Sequence, residues 1–302
     1  MISQESLAYY QELLKKPAFG AEGFDFVGLR QWGAERRELA EFAVHTAHVE
    51  IDGIPAEWLW AEGADLEVRL LYLHGGGFVS ASGLYYLPLA ARLSKAVGCA
   101  VLLPDYRLAP EHRFPAALED SILAYTWMLT KGPDGAAPAQ AAFIAGDSAG
   151  GGLTLSTLLV LRDRKLRLPE AAIAISAFAD LTLSGESIRT QEPHDPIMSP
   201  KSLPHFVDYY LGGADPRQPL ASPVFGDYRG LPPLLFQVGE HEIILNDTLA
   251  ACAKAQADGV SVKLEVWEGM FHVFQTHEPP LPEAREAIAH MADFIRANLK
   301  KP

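Results

Sequence analysis

The sequence predicts an α/β protein: a mostly parallel sheet of eight strands, covered by helices on both faces. Three observations carry that expectation. Short apolar runs of strand character alternate with longer segments of helical length from residue 43 to residue 299. Glycine-rich turns follow directly on two of the strand-like runs, at Gly75-Gly76-Gly77 and at Gly146-Asp147-Ser148-Ala149-Gly150. The chain has 302 residues, 49% of them hydrophobic, enough for one large core with an elaboration.

Taken in order, the strand-like runs fall at residues 43–51, 57–61, 68–73, 99–104, 142–146, 171–177, 234–239 and 263–267. Helical patterns fall at 84–97, 116–130, 149–164, 246–257 and 283–299. The first two strands are joined through Asp52-Gly53, a tight-turn signal, and are expected to form an antiparallel hairpin at one edge. The Gly/Pro/Ala-rich residues 131–140 read as a loop. Two stretches break the alternation. One is 4–37, with an amphipathic opening (Leu7, Tyr10, Leu13, Leu14), and the other is 183–225, rich in Pro, Asp and aromatic residues.

Composition narrows the function classes. A net charge of −13 argues against nucleic acid and anionic membrane surfaces as partners, since both select basic faces. No apolar run reaches the roughly 18 residues of a membrane span, and the first residues lack a basic-then-apolar secretory pattern. Only two cysteines occur, Cys99 in a strand-like run and Cys252 in a helical one. Both are expected as buried small hydrophobes, pointing to a cytoplasmic location.

The chemistry is carried by the two glycine-rich turns. Ser148 lies between the apolar run Ala141–Ala145 and the long apolar run Gly151–Leu161, so it sits where a strand turns sharply into a helix. Such a turn strains the serine backbone and exposes its hydroxyl, while free N–H groups of the helix start point back at it. Any Cβ at Gly146 or Gly150 is expected to collide where strand and helix nearly touch. Upstream, Leu70–Leu73 ends in His74-Gly75-Gly76-Gly77-Phe78. Three glycines after a buried strand suit a main chain that something must approach closely. In acyl transfer that something is the oxyanion of a tetrahedral intermediate, and the expected donors are the N–H groups of Gly75, Gly76 and Ala149. One such donor is worth about 10²–10³ in rate. A phosphate cradle does not fit, because no Gly-x-x-x-x-Gly-Lys-Ser/Thr and no dinucleotide fingerprint is present. His74 reads as structural, holding the loop by a hydrogen bond.

The pair His-Gly-Gly-Gly and Gly-Asp-Ser-Ala-Gly-Gly resembles the hormone-sensitive-lipase family of α/β-hydrolase esterases, the bacterial family IV carboxylesterases. A third block, Asp105-Tyr106-Arg107-Leu108-Ala109-Pro110-Glu111 through Phe114-Pro115-Ala116-Ala117 to Asp120, is similar to that family's corresponding segment almost residue for residue. The resemblance runs from about residue 70 to the C-terminus. Asp105, Arg107 and Glu111 are expected to brace the glycine loop.

The resemblance implies a chain order of Ser, then Asp/Glu, then His. Of the ten histidines, His272 in Gly269-Met270-Phe271-His272-Val273-Phe274 matches the family's pattern and follows a strand, whereas His277 and His290 read as surface residues. Aligning the strand end Val238-Gly239 puts Glu242 at the acid position, where most relatives carry Asp. Glu240 reads as turned away, Asp247 as lying on the next helix, and His241 as a solvated neighbour. The expected triad is therefore Ser148, Glu242 and His272, with no metal and no cofactor. By position, residues 1–42 and 183–225 are expected to form a helical cap over a core of 43–182 and 226–302. Phe78, Met198 and Met270 are expected pocket walls; Phe24, Phe26, Trp32, Phe206, Tyr209 and Tyr210 are candidates for the same role. The expected ligand is a small ester with a short or medium acyl chain, and relatives suggest a homodimer through the sheet edge. Two readings stay open beside the esterase: an amidase, deacetylase or lactonase on the same triad, and a non-catalytic binding protein of this fold, as in the plant hormone receptors.

Overall fold

The computed structural model describes residues 2–34, 39 and 43–299. Strands β1 (Val44–Ile51) and β2 (Ile54–Ala61) form the expected antiparallel hairpin at one edge, with Asp52 and Gly53 at positive φ in its turn. Beside β2 and antiparallel to it lies β4 (Cys99–Pro104), followed by β3 (Asp65–Leu73). Then come β7 (Ala141–Asp147), β8 (Ala171–Ile175), β9 (Leu234–His241) and β10 (Val262–Phe271), each parallel to its neighbour. The order is β1-β2-β4-β3-β7-β8-β9-β10. Inside the stretch read as a loop, β5 (Lys131–Gly132) and β6 (Gly135–Ala136) pair as a separate small hairpin.

Burial explains the sequence pattern. The interior strands β4, β7 and β8 are buried at every position because helices cover both of their faces. The outer strands β1 and β10 alternate between more and less exposed positions. One face packs α4 (Ala116–Met128), α5 (Ala149–Asp163) and α8 (Leu245–Ala257) into a core with Trp58, Leu71 and Phe236. The other face packs α3 (Leu87–Val97) and α9 (Pro282–Asn298) against Leu70, Val101 and Phe143. Helix α3 starts three residues later than its pattern suggests and ends on Gly98 in the left-handed conformation. Both cysteines are free and buried, Cys99 in β4 and Cys252 in α8.

The two stretches outside the alternation pack on one another. From the first come α1 (Gln4–Leu13) and α2 (Phe26–Gly33); from the second come α6 (Ser187–Thr190) and α7 (Leu203–Leu211). Phe24 meets Phe206 edge-on at 5.1 Å, Phe26 lies 5.2 Å from Tyr209, and Phe19 forms a backbone bridge with Met198. Helix α1 docks on the core and also reaches the second stretch at His194. Ser3 and Ser6 hydrogen-bond the Glu283 carboxylate of α9, and the Tyr10 hydroxyl donates to the His194 carbonyl at 2.8 Å. The boundary expected at residue 42 and the end of the stretch 4–37 fall outside the described residues. No helix among the described residues is long and apolar enough to cross a membrane.

Candidate active site

The turn from β7 into α5 has the strain its sequence implies. Ser148 sits at φ 52 and ψ −120, a conformation unfavourable for a side chain with a Cβ. The main chain around it is clamped: its N–H donates to the Ile175 carbonyl at 2.8 Å and its carbonyl accepts from Phe178 N–H at 2.9 Å. The flanking glycines are compulsory. A Cβ on Gly150 would lie 1.9 Å from the Leu73 carbonyl oxygen, and one on Gly146 would lie 2.3 Å from the Gly150 oxygen.

The glycine loop departs from expectation at one donor. The Gly75 N–H donates to Asp147 Oδ1 and to the Tyr86 hydroxyl, each at 3.1 Å, so it is spent inside the protein. Among the described residues, the N–H groups of Gly76, Gly77 and Ala149 donate to no protein atom, and Gly76 and Gly77 line the cavity beside Ser148. Gly75 is thus a structural glycine held by Asp147, the residue just before the serine. Asp147 is buried and also accepts from Tyr72 at 2.9 Å and from Tyr86 at 2.8 Å. Burial pushes its carboxyl up to about 6, against the pull of those tyrosines and of His272. The sequence signal that could have found Asp147 is a carboxylate ending a wholly apolar strand.

His74 does hold the loop: its Nδ1 lies 2.8 Å from the Gly75 carbonyl, so Nδ1 carries the donated proton, and burial lowers its pKa. Beneath it, the Tyr106 ring stacks at 4.2 Å and the Tyr106 hydroxyl donates to the His74 carbonyl at 2.7 Å. The charged residues around Tyr106 are less direct. Asp105 accepts from Gly83 N–H, Arg107 grips Asp120 with two nitrogens, and Glu111 pairs with Arg30 of α2. The brace is therefore the aromatic residue of this block, because the charges point to other partners.

His272 follows β10 directly, and Glu242 follows β9, so neighbouring parallel strands deliver both to one end of the sheet. His272 Nδ1 lies 2.9 Å from Glu242 Oε2. Glu242 Oε1 accepts from the Ser176 hydroxyl at 2.7 Å and from Gly239 N–H at 2.5 Å. The carboxylate thus directs the Nδ1 proton, which leaves Nε2 as the acceptor. Burial alone lowers the His272 pKa, but the hydrogen bond and charge of Glu242, helped by Asp195 and Asp147, raise it above its ordinary value.

The other candidates lie elsewhere. Glu240 accepts from Gly269 N–H, and Asp247 is buried on α8, where it accepts from Ala179 and Asp180 N–H and burial pushes its carboxyl up to about 8. His241, read as a solvated neighbour, is partly buried and stacks on Tyr10 at 4.9 Å. His277, read as a surface residue, lines the cavity edge-on to Tyr9, whereas His290 pairs with Glu265.

Two further residues escaped the sequence reading. Ser176 has no motif of its own. Asp195, an acid before proline in the irregular stretch, is buried and accepts from the Ile197, Met198 and Ile243 N–H groups, the last beside Glu242.

Ser148 and His272 open into one cavity of about 880 Å³. Its apolar walls include Phe19, Phe178, Met198, Leu203 and Phe206, and Trp32 also lines it. Of the three residues expected as pocket walls, Met198 lines this cavity, and Phe78 and Met270 do not. Phe78 is buried in a 3.8 Å stack with Tyr210, and Met270 is buried in the cluster under α1 and α9. Phe24, Phe26, Tyr209 and Tyr210 likewise pack against protein and do not line it.

Comparison with known proteins agrees with this fold. A family described as an alpha/beta hydrolase fold matches residues 70–276. An acetyl-hydrolase of Streptomyces hygroscopicus is 42% identical over 287 residues, covering 86% of this chain and 94% of its own length. An esterase of Acinetobacter venetianus is 33% identical over 247 residues, covering 82% and 80%. Among solved structures, EstE5 soaked with p-nitrophenyl butyrate superposes with a TM-score of 0.90 at 39% identity, covering 98% of this chain and 99% of that one. An esterase from the bacterial hormone-sensitive lipase family superposes with a TM-score of 0.87 at 37% identity, covering 99% and 100%.

Replacing Asp147 by Ala strips the acceptor from Gly75, Tyr72 and Tyr86 at once. A buried donor left unpaired costs about 1–3 kcal/mol, so Asp147→Ala is expected to lower the urea midpoint clearly. An unchanged midpoint contradicts the bracing role.

Proposed function

The chain belongs to the α/β-hydrolase fold family, in its bacterial hormone-sensitive-lipase-like branch, and on that premise we propose that Ser148, His272 and Glu242 form its catalytic triad. It is a carboxylic ester hydrolase. The observation that carries the triad reading is the His272–Glu242 hydrogen bond, with His272 lining the same cavity as the strained Ser148.

The chemistry follows from these positions. Ser148 Oγ attacks the ester carbonyl carbon while His272 Nε2 takes its proton. Glu242 keeps the other ring proton on Nδ1 and stabilises the imidazolium. The carbonyl oxygen becomes an oxyanion held by the N–H groups of Gly76, Gly77 and Ala149, with Gly75 replaced in that role by Gly77. The tetrahedral intermediate collapses, the C–O bond to the alcohol breaks, and His272 returns its proton to the leaving alkoxide. Water then attacks the acyl-enzyme, giving up a proton to His272, and the acid leaves as Ser148 is reprotonated.

The substrate is a small ester of short or medium acyl chain. The cavity volume lies within the range of small-ligand sites, about 300–1,000 Å³, and its inner walls are apolar. Residues 19–33 and 198–211 act as a cap over it, which limits access for long-chain lipids. Hydrolysis of p-nitrophenyl butyrate by the wild type, abolished in Ser148→Ala, is the direct test; an active Ser148→Ala protein overturns the reading.

Two predictions concern the partners of Ser148. Glu242→Ala is expected to lower kcat on the order of 10³–10⁴-fold, while Asp247→Asn leaves the kcat of the folded protein unchanged; steady-state kinetics giving the reverse ranking would reassign the acid. The pH profile tests the base. Only neutral His272 accepts the proton, so kcat/KM falls as pH drops through its pKa. Because Glu242 raises that pKa, the midpoint is expected above about 6.5, the ordinary histidine value. A rate that stays flat between about pH 5 and 8 contradicts an imidazole base.

A further inference from the structure

One short turn touches two members of the assigned triad and the residue that follows the third. The Ile175 carbonyl and the Phe178 N–H clamp the backbone of Ser148 from both sides. Between them, the Ser176 hydroxyl donates to Glu242 Oε1 at 2.7 Å and accepts from the N–H of Val273, the residue after His272, at 3.4 Å. The Ser176 N–H donates to the Gln237 carbonyl of β9 at 2.7 Å, tying the turn to the strand that delivers Glu242. Ser176 is completely buried and sits at φ 46, in the left-handed region. Glycine occupies that region without strain and serine does not. What the serine adds is its hydroxyl.

The identity of the acid gives that hydroxyl a task. A glutamate side chain has one more rotatable bond than an aspartate, so its carboxylate is harder to hold in a single orientation. Here Oε1 is pinned twice, by Ser176 and by Gly239 N–H, and only Oε2 faces His272. We propose that Ser176 is a positioning residue for the acid–base pair: its hydroxyl locks the Glu242 carboxylate and joins it to the segment bearing His272 and to the turn that clamps Ser148. The proposal rests on the triad reading given above.

The test compares Ser176→Ala with Ser176→Gly on p-nitrophenyl butyrate, with rates expressed per site after titration of Ser148 by an organophosphonate. Both remove the hydroxyl, but Gly also removes the strain, so folding and positioning separate. Both are expected to lower kcat on the order of 10- to 100-fold, as misplacement of a reacting group does, with KM unchanged. The charged groups facing His272 are Glu242, Asp195 and Asp147. A loosened Glu242 supports the imidazolium less while burial persists, so the kcat/KM midpoint moves to lower pH in both variants. In a Glu242→Ala background, Ser176→Ala is expected to cost nothing further. The proposal is overturned by kcat within about twofold of wild type in both variants, the precision with which independent effects add. It is equally overturned by a Gly variant that keeps its rate where Ala does not, or by an undiminished loss in the Glu242→Ala background. Full activity of Ser148→Ala overturns the triad reading itself, and this proposal with it.

Discussion

The close approach of helix α5 to the end of β3 is the constraint on which the site depends. With glycine at position 150, the helix start comes within a Cβ's width of the Leu73 carbonyl. Leu73 is the last residue of β3, and the glycine loop begins immediately after it. The same contact therefore sets the strained serine and the loop of free amides side by side. A bulkier residue at 150 has only backbone to push against, so relief of the clash requires strand and helix to separate. The geometry of the candidate site is inseparable from the packing of the sheet.

Around that contact the protein gathers buried acids near one imidazole. Asp147, Asp195 and Glu242 each lie close enough to His272 to favour its charged form, and each accepts hydrogen bonds from the surrounding protein. Only Glu242 is hydrogen-bonded to the ring. Asp147 shapes the loop through Gly75, Tyr72 and Tyr86, and Asp195 holds the backbone next to Glu242. A buried imidazole on its own resists protonation. Surrounding it with carboxylates favours the imidazolium without exposing it to water.

What the sequence made legible was local. The strand, sharp turn and helix around Ser148 are contiguous, so the sequence alone placed Ser148 on a strand-to-helix turn, and it placed His272 just after a strand. The edge hairpin was readable from Asp52-Gly53 for the same reason. What escaped was decided by partners remote in the chain. Gly75 loses its free N–H to Asp147, more than seventy residues away. Phe78 is taken from the pocket by Tyr210 of α7, and Met270 by the packing of α1 and α9. Strand β8 stops at Ile175, short of its apolar run, because Ser176 adopts positive φ. No periodicity announces a residue whose conformation is set by a hydrogen bond to a strand remote in the sequence.

The account stands on the convergence of one hydroxyl, one imidazole and three main-chain amides. A crystal structure of the protein after reaction with an organophosphonate tests it most directly. The account predicts phosphorus bonded to Ser148 Oγ, its free oxygen within hydrogen-bond distance of the Gly76, Gly77 and Ala149 N–H groups, and His272 Nε2 near the leaving-group side. An adduct on another residue, or a phosphoryl oxygen turned away from those amides, contradicts it.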